Sequence, residues 1–224
     1  MSIATITISN PGSEGNLLNP TVIAQVIEEL RASDADPAVT GILLTGDGGV
    51  FCSGLDIPAI RAGGDPVEFA AALAELLGLL PALGTPVAAV VNGDAVASGA
   101  SLVAAVDYAV AVPHARLGTR EVAVGIWPMV AQVPLIHRLG PRWAMENIGS
   151  GEPFDAARAR EVGLINAIAE DADATAVARA WLEKAARAGA IAAVGRPAFY
   201  RLAELGYQEA LQASVDLFAD MNRL

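Results

Sequence analysis

Polar and apolar positions along the chain follow three rhythms, and each predicts a different element. ATITIS, residues 4–9, alternates with a period of two and reads as a strand. Asn19 followed by Pro20 reads as a helix N-cap with proline at the first helical position. Ile23, Val26, Ile27 and Leu30 then recur at i, i+3, i+4 and i+7, which lays an apolar stripe along one side of that helix. VTGILLTG (39–46), TPVAAVVNG (85–93) and DYAVAV (107–112) are unbroken apolar runs, typical of strands covered on both faces. Residues 66–80 and 98–106 read as helices between them. Strand and helix alternate, so the connections must be crossovers and the sheet mostly parallel. Beyond residue 140 the pattern turns helical: PRWAMENIGS, FDAARAREVG, TAVARAWLEKAARAG and a last segment from Pro197 to Leu224. The expectation is an α/β fold with a core over 1–165 and a C-terminal helical extension over 166–224.

Composition narrows the class of function. Of 224 residues, 54% are hydrophobic and 17% charged, which favours one packed core over disorder. Fourteen basic and 25 acidic residues give a net charge of −11, which argues against nucleic acid or an anionic membrane as partner. Lys184 is the only lysine, so phosphate contacts would fall to arginines such as Arg61 and Arg120. Cys52 is the only cysteine, which excludes an intrachain disulfide and a multi-thiolate metal site. MSIATITIS lacks a basic leader and reads as a strand, and no apolar run reaches membrane-spanning length. A soluble, cytoplasmic protein is expected.

Chemistry can enter at two turns. In FCSGLDI (51–57), a buried strand runs into Ser53 and Gly54, which cover little of their own backbone. In VVNGDAVASGASLVAAVD (90–107), another buried strand ends in a turn, and Ser98, Gly99, Ala100 and Ser101 open a helix. First-turn N–H groups attract negative charge, and small side chains let a ligand atom approach them. Helix–strand packing explains small residues at either turn equally well on its own. Two such turns converging on one oxygen would stabilise an enolate.

These residues carry a resemblance. FCSGLDI resembles the first motif of the crotonase superfamily (enoyl-CoA hydratase/isomerase), and VNGDAVASGASLVAAVDYAVA resembles its second. ARLGTREVAVGIWP resembles the third stretch, where a catalytic glutamate stands a fixed distance after the second motif's aspartate. DAARAREVGLINAI resembles the usual continuation, so the likeness runs in order over nearly the whole chain. It implies a crotonase-like spiral of ββα units with a helical C-terminal region, assembled as a homotrimer or hexamer. It implies an acyl-CoA thioester as substrate, with coenzyme A part of that substrate, no separate cofactor and no metal. By motif position the thioester oxygen is expected between the backbone N–H groups of Ser53 and Ser98, with Glu121 as general base. Gly54, Gly99, Ser101 and Trp127 are expected to line the substrate, and Val122, Val124, Ile126 and Trp127, near Glu121 in sequence, to keep water from the glutamate.

The departures from the family pattern bear on the reaction. Ser98 replaces the usual glycine, and Ser101 stands where hydratases of the family carry a second glutamate. MVAQV follows Pro128 in place of a glycine-rich run, Pro58 replaces a frequent lysine, and the helical extension is shorter than usual. One carboxylate suffices to move a double bond, taking a proton at Cα and returning it at Cγ. Isomerase-type chemistry is therefore favoured. The alternatives are a hydratase or acyl-CoA hydrolase whose water is shared by Ser101 and Glu121, and a non-catalytic acyl-CoA-binding or scaffold protein. Plainer roles are open as well: helix packing for Ser101, a helix cap for Asp56, a structural part for Asp107, core packing for Trp127. His114 and His137 fall outside the motifs.

Overall fold

The computed structural model describes residues 2–221, and the last three residues of the expected final segment lie outside them. Strand β1 (Ser2–Ile8) leads to helix α1 (Pro20–Ala35), whose first turn is capped by the Asn19 carboxamide accepting from Val22 N–H. Val22, Ile23, Val26, Ile27 and Leu30 are the residues that α1 buries, as the heptad-like spacing requires. Each such side chain taken from water contributes roughly 1.5–3 kcal/mol. Strand β2 (Val39–Gly46) is followed by the short strand β3 (Val50–Cys52), helix α2 (Ile57–Arg61) and helix α3 (Pro66–Ala82). The same sequence of long strand, short strand and helix recurs in β4 (Val87–Val91), β5 (Asp94–Val96) and α4 (Ser98–Ala105). It recurs again in β6 (Tyr108–Ala111), β7 (Arg116–Gly118), a 3₁₀ turn (Glu121–Val124) and α5 (Gln132–Ser150).

Long and short strands sort into two sheets. β1, β2, β4 and β6 pair in parallel in that order, and β9 (Ala167–Ile168) completes the edge. β3, β5 and β7 form the second sheet, also parallel, closed by β8 (Phe154–Asp155) in the antiparallel sense. Each repeat thus contributes one strand to each sheet before its helix, which is the spiral of ββα units. The core fills the space between the main sheet and its helices, and α4 is buried at seven of its eight positions.

After β8 come α6 (Ala156–Glu161), β9, α7 (Asp171–Ala185), a 3₁₀ turn (Ala186–Ala188), α8 (Ala190–Ala203) and α9 (Tyr207–Met221). α7 buries Ala174, Ala178 and Leu182 against β2, β4 and β6, and Trp181 stacks on Tyr108 with ring centroids 5.0 Å apart. The helical extension therefore begins with a helix that covers the main sheet. No helix among the described residues is long and apolar enough to cross a membrane.

Candidate active site

The two turns meet because two glycines let them. Gly54 holds φ +97°, and a Cβ built on it would lie 2.5 Å from the Ala97 Cβ and 3.4 Å from the Ser98 nitrogen. A Cβ on Gly99 would lie 2.2 Å from the Cys52 carbonyl oxygen. Both glycines are thus required for turn-to-turn contact, whatever a ligand asks of them. Ala97 closes the approach with φ 53° and ψ −125°, an unusual conformation for a residue with a side chain. Ser98 then opens α4, and its N–H finds no acceptor among the described residues.

The N–H expected from motif position to be the second donor, that of Ser53, has a partner of its own. Ser53 N–H donates to the Gly15 carbonyl at 2.8 Å, so it is already committed. Leu18 bridges to the opposite turn in parallel: Leu18 N–H donates to Gly54 C=O, and Asp56 N–H donates to Leu18 C=O. In such a bridge the residue between the two bonded neighbours turns its own N–H away from the partner strand. That residue is Leu55, whose N–H has no acceptor among the described residues. Leu55 was missed because its large side chain hid the position. The signal that points to it is period-two alternation along the turn.

Glu121 begins the 3₁₀ turn directly after β7. Its carboxylate accepts from the Arg120 N–H at 2.8 Å, and its carbonyl accepts from Ile126 N–H at 2.9 Å. The expected apolar shield does not close over it: Val124, Ile126 and Trp127 are all exposed. The Trp127 indole N–H instead donates to Gln132 Oε1 at 2.9 Å, on the surface of the single chain. Ser101 is fully buried, and its hydroxyl donates to the Ala131 carbonyl at 2.7 Å, joining α4 to the start of α5. Its one proton is thereby committed, and its side chain is sealed from solvent. Asp56 caps α2 by accepting from Ala59 N–H. Asp107 accepts from Val87 N–H and ties down Arg196 and Tyr200. Arg120 reaches Asp94 at 3.7 Å, Arg61 closes the last turn of α2, and His137 lies 3.6 Å from Glu204 on the surface. Among the described residues no cluster of histidine, cysteine or carboxylate has the makings of a metal site.

The sequence profile of the enoyl-CoA hydratase/isomerase family matches residues 1–223. This chain belongs to that family. A Thermus thermophilus protein named as an enoyl-CoA hydratase is 30% identical over 190 residues, 83% of this chain and 75% of that one. An enoyl-CoA hydratase/isomerase family protein from Silicibacter pomeroyi superposes with a TM-score of 0.89 at 26% identity, covering 99% of this chain and 96% of the other. Human enoyl Coenzyme A hydratase domain-containing protein 3 superposes with a TM-score of 0.91 at 25% identity, over 99% and 89% of the two chains. Within this member of the enoyl-CoA hydratase/isomerase family, the two turns of small residues touch and Glu121 follows β7. Among the described residues, Ser98 and Leu55 thus present unpaired main-chain N–H groups on two turns in contact, and Glu121 stands on the turn after β7.

Proposed function

We propose that this chain isomerises the double bond of an enoyl-CoA thioester. The thioester oxygen would take hydrogen bonds from the N–H groups of Ser98 and Leu55, which hold the dienolate formed when a proton leaves Cα. Glu121 would remove that proton and return it at Cγ, so no net proton or water is consumed. The observation that carries this reading is the burial of Ser101. Its proton is donated to Ala131 and its side chain is sealed from solvent, so the position of a hydratase's second glutamate carries no carboxylate to orient water. A hydratase is the second reading, favoured by the name of the Thermus thermophilus relative.

The test offers 3-enoyl-CoA and 2-enoyl-CoA substrates to the wild type and to Glu121→Gln. Isomerisation of a 3-enoyl-CoA by the wild type, lost by a factor on the order of 10²–10⁴ in Glu121→Gln, is the expected outcome. Hydration of a 2-enoyl-CoA with no isomerisation of any 3-enoyl-CoA would establish the hydratase. The donors are tested at Ser98. Ser98→Ala should keep most activity because the donor is main-chain. Ser98→Pro occupies a first helical position that tolerates proline, yet it removes the N–H and should cost roughly 2.7–4 kcal/mol of transition-state stabilisation.

A further inference from the structure

We propose that Asn147 is a positioning residue: from the far end of α5 it fixes the segment that carries Glu121 relative to the Ser98 turn. The inference rests on the reading of Glu121 as the proton carrier. Asn147 is buried to 2% exposure on a helix whose other buried residues, Leu135, Leu139, Ala144 and Ile148, are all apolar. All of its hydrogen-bonding capacity is used. Its Oδ1 accepts from Thr119 N–H at 2.7 Å and from the Thr119 hydroxyl at 3.2 Å. Its Nδ2 donates to Thr119 C=O at 3.1 Å and to Glu152 C=O at 2.9 Å. The amide orientation follows from these partners, since an N–H requires the oxygen and two carbonyls require the nitrogen.

The grip falls on the residue two places before Glu121. Gly118, one place earlier, lies flat against the carboxamide. A Cβ there would sit 2.6 Å from Asn147 Nδ2, on a backbone at φ +148°. The Gly118 carbonyl in turn accepts from Ala97 N–H at 2.9 Å, and Val96 pairs with Gly118 in the second sheet. One continuous set of bonds thus runs from the residue before Ser98, through Gly118 and Thr119, to Asn147. α5 also packs on the 3₁₀ turn that Glu121 opens, and a Cβ on Gly151 at its C-terminal end would lie 2.8 Å from the Ala123 nitrogen. Side-chain bonds of Glu121 itself do nothing to fix its distance from Ser98, because among the described residues its carboxylate bonds only to its own neighbour, Arg120. Asn147 supplies that constraint through the main chain.

Asn147→Leu and Asn147→Asp remove, respectively, the whole set of bonds and the two donated ones. Each is compared with Leu182→Ala, a core truncation on α7 that destabilises the protein away from the site. Assays run at a temperature where circular dichroism shows every variant folded. Asn147→Leu should lower kcat by about a hundredfold with KM within about threefold, whereas Leu182→Ala should leave both near wild type. Amide hydrogen exchange should accelerate over residues 117–124 in Asn147→Leu and stay unchanged over 50–57. Equal kcat in Asn147→Leu and wild type, or unchanged exchange over 117–124, would overturn the proposal. Glu121→Gln run in parallel separates the two readings. Should it retain full turnover, the glutamate's role falls, and the exchange result alone decides whether Asn147 fixes this segment.

Discussion

At Ala97 a methyl-bearing residue holds a left-handed φ, which typically costs on the order of 1 kcal/mol or more. That conformation turns the chain so that the Ser98 N–H leads into α4 without an acceptor among the described residues. Ala97→Gly should therefore relieve strain and raise stability by about 1 kcal/mol, read as a higher denaturation midpoint with activity retained. Two residues upstream of Gly54, burial pushes the Cys52 thiol up to about 12, so almost no thiolate exists at neutral pH. A thiol reagent should leave the folded protein unlabelled and modify one cysteine only in denaturant. Rapid labelling in native buffer would show that β3 opens. On the surface, hydrogen bonds from Arg158 hold the Glu146 carboxyl below the usual carboxylate range. Folding thus favours the ionised form, and this contribution is complete near neutrality and is lost as pH falls through that range. Wild type and Glu146→Gln should differ in melting temperature at pH 7 and converge in acid.

Among the elements, α8 is held to the body by a buried ion pair. Arg196 Nε meets Asp107 Oδ2 at 2.7 Å, with both side chains nearly buried, and Arg196 Nη1 donates to Leu83 C=O at 2.6 Å. Tyr200 OH donates to Asp107 Oδ1 at 2.5 Å; its phenol pKa is raised by burial and by the carboxylate it serves. Removing one partner strands the other, so Asp107→Ala should cost about 3–5 kcal/mol in urea unfolding and speed exchange across 190–203. A loss of under about 1 kcal/mol would mean that α8 is held by packing alone. Nothing in the sequence coupled residues 107 and 196, because the contact spans 89 positions. Helices α1, α3 and α7 were legible because an apolar stripe fixes the face that a helix buries. The short strands β3, β5, β7 and β8 were not. Two or three residues are too few to show a period, and their pairing depends on the neighbouring turns of the spiral.

The whole molecule leaves apolar surface on its last helices. Ile191, Phe199, Leu211 and Val215 are exposed on α8 and α9, and Val124, Ile126, Trp127 and Met129 are exposed beside Glu121. Patches of this kind on a folded chain mark surfaces that associate. A homo-oligomer is the expected state, with light scattering giving a trimer or hexamer of the 22.9 kDa chain. A mass near 23 kDa at micromolar concentration would overturn this expectation. Leu211→Asp with Val215→Asp should shift the mass toward the monomer. Taken alone, the sequence determined the parallel sheet, the capped helices and the two turns of small residues, because local periodicity and motif order carry that information. Tertiary structure decided which amides are free. Ser53 N–H donates to Gly15, and among the described residues Leu55 N–H is left without an acceptor because Leu18 bridges to this turn from another part of the chain. It likewise sealed Ser101 under Ala131 and brought Asn147 to Thr119, since a hydrogen bond's partner across tens of residues is set by packing and leaves no local pattern.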